Sequence, residues 1–338
     1  MDKDTIKRLI IEYQQFVANI TLIEREIHLS HQLNYVFVGL RRAGKSYLMY
    51  QQIQSLLNDG HQPEEILYFN FEDDRLVNLT VEDLDLIKVS YEELYPHKPI
   101  FFLDEIQIVE HWEKFARRLA DQQYRVYITG SNAKMLSAEI ATTLGGRYIV
   151  QNVYPFSFSE FLKASKIEIG PTWYYKNRTE IVRTFSDYFS YGGLPELMLI
   201  ETIEKRQWLS NLFNKIFFGD LITRYSIRND LAMKVLIRKL AESVKQPSSF
   251  NRLTNIVSTT GAKVSTDTII DYLNFLQATW LFFSLENYAS KLVEKISNRK
   301  YYFIDNGLLN LFLIDPVTSL LENIVAISLK KKDRKSVV

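Results

Sequence analysis

The chain has 338 residues, of which 46% are hydrophobic and 24% are charged, and its formal net charge is +1. This is the composition of a globular protein with packed cores, and the length suffices for two or three domains. The absence of cysteine excludes disulfide frameworks and thiolate metal sites. No apolar run approaches the ~20 residues of a membrane span, and the N-terminus lacks a signal-peptide pattern. We therefore expect a soluble cytoplasmic protein.

The first half of the sequence alternates apolar strands with amphipathic helices. An opening helix is predicted from the helical spacing of apolar residues between Ile6 and Ile20. Apolar runs predict strands at 35–38, 66–71, 100–103, 125–129 and 148–153. Helical patterns separate these strands, at about 45–58, 80–94, 111–121 and 133–140. The alternation predicts an α/β fold with a parallel sheet that is covered on both faces by helices.

A glycine-rich loop follows the first of these strands and opens a helix. From Gly39 to Ser46 it has the spacing GxxxxGK[ST], which is typical of a phosphate-binding loop, or P-loop. The glycines let backbone N–H groups point at a β-phosphate, Lys45 can reach the β- and γ-phosphates, and the Ser46 hydroxyl can ligate Mg²⁺. The predicted nucleotide contacts are Gly39, Leu40, Arg41, Arg42, Ala43, Gly44, Lys45, Ser46 and Tyr47.

A second apolar strand delivers two adjacent carboxylates, Asp104 and Glu105, at its carboxyl end. Open α/β sheets bind their ligands at this edge. Asp104 is predicted to hold Mg²⁺ through its water shell, because magnesium gives up water reluctantly. Glu105 is predicted to orient and deprotonate the attacking water, since phosphoryl transfer needs a positioned nucleophile. A helix N-cap is the alternative explanation for acids at this place.

Two further segments supply candidate residues. Ser131 and Asn132 follow the strand at 125–129 and could hydrogen-bond the attacking water or the γ-phosphate, although both are also good helix N-caps. Arg147 could stabilise charge on the transferred phosphate, in the same chain or from a neighbouring subunit. A solvated arginine at the start of a strand is the alternative. The predicted catalytic residues are therefore Lys45, Glu105, Asn132 and Arg147.

After Tyr154 the pattern changes to helices that are rich in aromatic residues, without regular strands until about residue 245. Two helices then bracket Gly261, and strand candidates follow at 281–285 and 300–304. Two helices followed by a β-hairpin are typical of a winged helix. We predict four segments: an ATPase core at 1–160, an α-helical region at 161–246, a winged helix at 247–312 and the start of a further domain at 313–338.

The helix after Gly261 indicates whether this winged helix could read DNA. No lysine or arginine occurs between Lys263 and Lys291, whereas Asp267 and Asp271 fall where exposed residues are expected. Basic side chains that neutralise phosphates supply most non-specific DNA affinity, so the helix is poorly suited to DNA. A lid, a subunit contact or protein docking is favoured instead. The residues that could contact the phosphate backbone of DNA, from the predicted wing, are Lys291, Lys295, Arg299 and Lys300.

Together these motifs resemble those of prokaryotic AAA-superfamily ATPases, which join an ATPase core to a winged helix and often to a C-terminal nuclease-like domain. The matching segments are GLRRAGKS at 39–46, FFLDEIQ at 101–107, ITGSNAKML at 128–136, LGGRYIVQNVYPFSFSEF at 144–161, YGGLPE at 191–196 and KYYFIDNGL at 300–308. The resemblance covers nearly the whole chain. It implies ATP and Mg²⁺ as ligands, and a five-stranded core in which the strand ending at Thr129 lies between the P-loop strand and the Asp104 strand.

The sequence departs from this family at its C-terminus. Members usually continue past a segment like LLENIV at 320–325 into strands with further acidic residues and a lysine, the residues of a metal-dependent nuclease. This sequence stops at Val338. It therefore looks like a truncated member, and no nuclease activity is expected of it.

Several functional classes fit these observations. The favoured one is a Mg²⁺-dependent ATPase that couples nucleotide state to conformational change in a larger assembly, with a homo-oligomer or a protein client as partner. A nucleic-acid-processing ATPase with DNA-stimulated turnover is the alternative. Intact Lys45 and Glu105 argue against a degenerate nucleotide-binding module. Glu105 beside Asp104 favours hydrolysis over a small-molecule kinase.

Overall fold

A computed structural model describes residues 2–76, 79–130, 142–261, 263–287 and 298–332. The chain divides into two compact units: Met1–Gly39 with Gly44–Val153, and Leu40–Ala43 with Tyr154–Val338. The division falls before residue 160, because the Phe156 N–H already pairs with the Gly193 carbonyl at 2.7 Å inside the second unit. The further boundaries near 246 and 312 stay predictions.

The first unit is built on a parallel five-stranded sheet. Its strands are β1 (Asn34–Val38), β2 (Ile66–Asn70), β3 (Ile100–Asp104), β4 (Val126–Gly130) and β5 (Tyr148–Asn152). Their order across the sheet is β2-β3-β4-β1-β5. The predicted α/β fold is therefore confirmed, and so is the place of β4 between the P-loop strand β1 and the Asp104 strand β3.

The central strands of this sheet are buried along their whole length. Every residue of β3 and β4 is buried. The Phe102 and Tyr127 rings of these two strands stack with centroids 4.5 Å apart. Runs of this kind form strands because both faces are covered by apolar neighbours. The packing fixes the carboxyl ends of β1, β3 and β4 at one edge of the sheet.

Helices of the first unit are α1 (Lys3–Asn19), α2 (Lys45–Asn58), α3 (Val81–Leu94) and α4 (Trp112–Asp121). They lie close to the predicted ranges, and the helix predicted at 133–140 falls outside the described residues. The Asp2 side chain caps α1 by accepting the Thr5 N–H at 2.9 Å. The apolar face of α1 packs against α3 and β2 through Ile6, Leu9, Ile10 and Val17.

The second unit is mainly helical. Its helices are α5 (Phe158–Ala164), α6 (Trp173–Lys176), α7 (Arg178–Tyr191), α8 (Thr202–Lys215), α9 (Asp230–Glu242), α10 (Phe250–Thr259), α11 (Thr266–Ala278), α12 (Asn306–Asn310) and α13 (Val317–Lys332). A π-helical turn, Ile216–Thr223, continues α8. An antiparallel sheet of order β6-β8-β7 joins β6 (Ser248–Ser249), β7 (Phe282–Leu285) and β8 (Asn298–Phe303). In the part of the chain that the structure describes, no helix is both long enough and apolar enough to cross a membrane.

Two capped helices and the small sheet occupy the region in which a winged helix is predicted. The Ser249 and Ser265 hydroxyls accept the N–H groups of Arg252 and Thr268, at 3.3 and 3.1 Å, and so begin α10 and α11. The two helices pack against each other, and the antiparallel pair β7–β8 follows them. These elements appear in the predicted order, and their assignment as a winged helix stays a prediction.

A buried carboxylate joins two of the segments that carry the family resemblance. Asp305, just after β8, accepts the backbone N–H groups of Gly193 at 2.8 Å and Gly307 at 2.9 Å. Gly193 belongs to YGGLPE and Asp305 to KYYFIDNGL, and the two residues are 112 positions apart. Burial raises the pKa of Asp305 to about 6, although the N–H donors oppose this shift. The contact is structural, because it fixes a loop of the second unit.

This buried acid predicts a pH dependence of stability. The pKa of an aspartate in the unfolded chain is near 3.8, so Asp305 holds its proton more tightly in the folded state than in the unfolded state. Protonation therefore stabilises the folded state, and this contribution is lost as the pH rises through the folded pKa. Between pH 5 and 7 we expect Asp305 to lower the unfolding free energy by about 1 kcal/mol. Thermal unfolding of the wild type and of Asp305→Asn across this range tests the prediction. The Asp305→Asn variant should lack the loss of about 1 kcal/mol between pH 5 and 7 that is assigned to Asp305. If the unfolding free energy changes equally with pH in both proteins, the dependence belongs to other groups.

Candidate nucleotide site

Two glycines shape the loop between β1 and α2. A Cβ atom at Gly39 would lie 2.1 Å from the Val153 carbonyl oxygen, so this close approach requires glycine. Gly44 has a φ of 93° and precedes Lys45, the first residue of α2. Lys45 and Ser46 therefore occupy the first turn of a helix, where backbone N–H groups and the helix dipole favour a bound anion.

The Lys45 ammonium group is buried in the first unit. Its side chain is 4% exposed, and Nζ donates to the Gly39 carbonyl at 3.4 Å. The same Nζ lies 3.8 Å from Oε1 of Glu105. A buried ammonium needs partners of opposite charge. A positive charge is thus fixed between the glycine-rich loop and the acid after β3.

Hydroxyl groups donate hydrogen bonds to the buried Asp104 carboxylate. Tyr68 donates to Oδ2 at 2.7 Å, and Thr129 donates to Oδ1. The Ser46 hydroxyl lies close enough to this carboxylate to lower the pKa of Asp104. Burial raises the pKa of Asp104, and the neighbouring Glu105 charge acts in the same direction while the hydroxyl donors oppose it. The structure therefore places the two predicted magnesium ligands, Ser46 and Asp104, close together.

Glu105 has an uncommon backbone conformation. Its φ of 57° and ψ of 37° lie in the left-handed region, which costs a residue other than glycine on the order of 1–3 kcal/mol. The conformation is held by the Glu105 N–H, which donates to Thr129 Oγ1 at 2.9 Å. Gln107 Nε2 donates to the Glu105 carboxylate. Strain of this kind concentrates at functional sites, so it supports a functional role for this acid.

The oxygen atoms of Ser46 and Asp104 fit a magnesium ion. Magnesium prefers oxygen ligands and is usually held by one or two protein groups together with substrate phosphates and water. The Ser46 hydroxyl acts on the pKa of Asp104, so the two side chains lie near each other. Across the described ranges, no group of three or more His, Cys, Asp or Glu could hold a metal alone. This donor set thus suits an ion that is bound together with a nucleotide.

The middle of the glycine-rich loop, Leu40–Ala43, groups with the second unit. Arg41 donates through Nε and Nη2 to the two Asp220 carboxylate oxygens, at 3.1 and 3.4 Å. Asp220 is buried in the π-helical turn that follows α8. Arg42 forms an ion pair with Glu196. Because acids hold both side chains, the nucleotide contacts predicted for Arg41 and Arg42 would come from their backbone N–H groups.

Other predicted residues lie elsewhere or outside the described residues. Tyr47 lies on α2, is 53% exposed, and its ring centroid is 5.5 Å from that of Tyr50. Ser131 and Asn132 fall outside the residues that the structure describes. Their roles stay predictions.

Arg147 and Lys45 lie at opposite edges of the sheet within one chain. It directly precedes β5, and its carbonyl accepts from Nδ2 of Asn34, the first residue of β1, at 3.4 Å. This is the amino edge of the sheet, whereas the glycine-rich loop follows the carboxyl end of β1. The Arg147 guanidinium donates to Asp121 instead. The placement speaks against a role in its own chain and leaves the predicted contribution from a neighbouring subunit.

Sequence reasoning missed the side chains that hold the two acids. Tyr68 and Thr129 bind Asp104, and Gln107 binds Glu105. The available signal was a hydroxyl-bearing residue inside an otherwise apolar strand, since a buried hydroxyl needs a hydrogen-bond partner. This pattern shows that Tyr68 and Thr129 each need a hydrogen-bond partner, but it does not show that the partner is Asp104.

Two family models match parts of this chain. A family model described as an AAA domain matches residues 32–162, which include β1 to β5. A second model, described as a domain of unknown function, matches residues 182–317.

A protein of Methanocaldococcus jannaschii, named only as uncharacterized, is 32% identical over 336 residues. The match covers 98% of this chain and 74% of the relative. This chain belongs to the same family of AAA-domain proteins. An uncharacterized protein of Haemophilus influenzae is also 32% identical, over 85% of this chain and 72% of its own length.

Among solved structures, the AAA-domain protein is similar to a Walker-type ATPase of Pyrococcus abyssi. The match covers 92% of this chain and 95% of the other, with a TM-score of 0.49 and 11% identity.

Proposed function

We propose that this AAA-domain protein binds ATP with Mg²⁺ and hydrolyses it, and that the nucleotide state changes its conformation within a larger assembly. The observation that carries the proposal is the convergence of Lys45, Asp104 and Glu105 in the first unit, with Lys45 Nζ 3.8 Å from Glu105 Oε1. A cation, a metal-binding acid and a second acid are the groups that phosphoryl transfer to water requires.

Each group has one task in the proposed reaction. Lys45 and the N–H groups at the start of α2 bind phosphate oxygens. Ser46 and Asp104 hold the magnesium ion, which neutralises charge on the phosphates when it is bound. Glu105 orients the attacking water and accepts its proton. The acid beside Asp104 favours water as the acceptor over the small molecule that a kinase would use.

Steady-state ATP hydrolysis at several protein concentrations tests this function. Turnover per subunit that rises with concentration would support an oligomer in which Arg147 acts on a neighbouring subunit. Mg-ATP binding without turnover would favour a degenerate nucleotide-binding module instead. Failure to bind Mg-ATP under any condition would refute the proposal.

The charges of α11 disfavour the alternative of a DNA-stimulated ATPase. Asp267 and Asp271 are exposed on this helix. Exposed acids repel the phosphate backbone, whose neutralisation supplies most non-specific affinity. A protein partner fits this helix better than a nucleic acid does.

The basic residues near β8 are also paired with acids. Lys300 lies 2.7 Å from Glu322. Arg299 lies 2.8 Å from Glu286. Part of their charge is therefore already compensated within the protein. The remaining basic residues predicted for phosphate contact lie outside the described residues: Lys291 and Lys295.

We accordingly expect duplex DNA to change the rate of ATP hydrolysis by less than about twofold at near-physiological salt. A variant with both Asp267→Lys and Asp271→Lys is the matched comparison, because it converts the exposed face of α11 into a phosphate-binding one. Fluorescence anisotropy of labelled DNA should show tighter, salt-sensitive binding for the variant only. Strong stimulation of the wild type by DNA would favour the nucleic-acid alternative.

A further inference from the structure

We propose that Tyr68 is a positioning residue for the magnesium ligand Asp104, and that Tyr50 positions Tyr68 in turn. The inference rests on the proposed function, because it concerns the metal that would accompany the nucleotide. It assigns a role to two buried tyrosines that neither the motifs nor the resemblance single out.

The hydroxyl groups form a directed chain. Tyr68, on β2, is 2% exposed, and its hydroxyl lies 2.7 Å from Asp104 Oδ2. Tyr68 is the donor in this hydrogen bond, and the carboxylate oxygen accepts. Its one proton is then committed to Asp104, and the Tyr50 hydroxyl at 3.0 Å must donate to the Tyr68 oxygen. The order of donation is Tyr50 to Tyr68 to Asp104.

The two tyrosine hydroxyls hold the Asp104 carboxylate from one side, and Thr129 holds it from the other. Strand β3, which carries Asp104, lies between β2 and β4. Tyr68 comes from β2 and holds Oδ2, whereas Thr129 comes from β4 and holds Oδ1. A carboxylate held at both oxygens cannot rotate freely about its Cβ–Cγ bond. The lone pairs that would face the metal therefore keep one direction.

Tyr50 links this arrangement to the helix that carries the other metal ligand. Tyr50 lies on α2, whose first turn contains Lys45 and Ser46. Its side chain is buried, and its ring packs against that of Tyr68 with centroids 5.3 Å apart. One helix thus places the Ser46 hydroxyl and, through Tyr50 and Tyr68, orients the Asp104 carboxylate. The two metal ligands are aligned by the same element.

The Tyr68 hydroxyl is the part of this side chain that contacts the metal ligand. Phenylalanine at this position would keep the packing and remove only the donor. Groups that orient a metal ligand typically account for 10–100-fold in metal affinity or activity.

The test measures magnesium-dependent nucleotide binding and does not depend on turnover. The purified full chain is titrated with a fluorescent, non-hydrolysable ATP analogue in EDTA and at a series of free Mg²⁺ concentrations. For Tyr68→Phe we expect the Mg²⁺ concentration at half-maximal effect to rise by about tenfold, with affinity in EDTA unchanged. Tyr50→Phe should shift this midpoint in the same direction by a smaller factor.

Tyr127→Phe is the matched control. Tyr127 is fully buried in the same sheet, and its hydroxyl accepts from Gln52 at 3.3 Å without contacting Asp104. It should lose some thermal stability and keep the wild-type midpoint. An unchanged midpoint in Tyr68→Phe, or an equal shift in Tyr127→Phe, would overturn the inference. If Tyr68→Phe does not fold, the Mg²⁺ midpoint of Tyr50→Phe decides the question. A wild-type midpoint in that variant would contradict the proposed order of hydrogen bonds from Tyr50 to Tyr68 to Asp104.

The same titration separates this inference from the proposed function. A wild-type protein whose nucleotide binding does not respond to Mg²⁺ would contradict the proposed ATPase. A responsive wild type with an equally responsive Tyr68→Phe variant would contradict only the positioning role.

Discussion

Replacing Glu105 with glutamine is expected to lower the rate of ATP hydrolysis by about 10²-fold or more while Mg-ATP remains bound. Glutamine has the size and shape of glutamate but cannot take up the proton of the attacking water. Its amide oxygen can still accept from Gln107 Nε2, the contact that the carboxylate makes in the structure. The left-handed backbone at this position, with a φ of 57°, is expected to cost both residues about the same, because their side chains branch only at the terminal group. Retained binding with lost turnover therefore identifies a general base.

Turnover and binding of a fluorescent ATP analogue are measured on the same preparations of Glu105→Gln and wild type. Glu110→Gln is the matched control, because it removes an exposed carboxylate five positions further along the chain. It should hydrolyse ATP like the wild type. Full turnover in Glu105→Gln would move the proton acceptor to another residue, and a parallel loss of binding would mean that the substitution disturbs the loop.

The sheet could be predicted from the sequence because its signal is local. Strands buried on both faces appear as continuous apolar runs, and β3 and β4 are such runs. The glycine-rich loop is equally local, since Gly39 and Ser46 belong to one short segment. Asp104 and Glu105 could be located because they directly follow an apolar strand. The order of the strands came from the family resemblance and not from the runs themselves.

Contacts between distant parts of the chain could not be predicted in this way. Asp104 is bound by Tyr68 and Thr129, which lie 36 and 25 positions away. Periodicity shows that a tyrosine is buried, but the register between strands determines which side chain meets it. The left-handed conformation of Glu105 also has no signal in the sequence, because non-glycine residues rarely adopt it.

Arg147 shows the same limit for a charged residue. Gly145 and Gly146 precede it in the sequence, and it is predicted to stabilise charge on the transferred phosphate. The direction of β5 instead puts Arg147 at the amino edge of the sheet, beside Asn34 and in contact with Asp121. The direction of the chain is a property of the whole sheet. The four residues Leu144–Arg147 therefore cannot determine at which edge of the sheet the arginine lies.

Replacing Lys45 with alanine is expected to weaken ATP binding by about 10–100-fold and to abolish turnover. The ammonium group would form charge-assisted hydrogen bonds to phosphate, each of which contributes about 1.5–3 kcal/mol. In the structure Nζ is held by the Gly39 carbonyl and lies 3.8 Å from Glu105, so the group is already desolvated and oriented. Little further ordering is needed when a nucleotide binds.

The binding of a fluorescent ATP analogue and the thermal shift caused by Mg-ATP measure this effect. Lys114→Ala, which removes a lysine from α4, is the control and should behave like the wild type. Lys45→Ala also leaves Glu105 buried without its nearby cation, so some stability is lost even without nucleotide. The difference between the shifts with and without Mg-ATP isolates the nucleotide contribution. Normal binding and hydrolysis by a folded Lys45→Ala protein would refute the assignment of this loop as a phosphate-binding site.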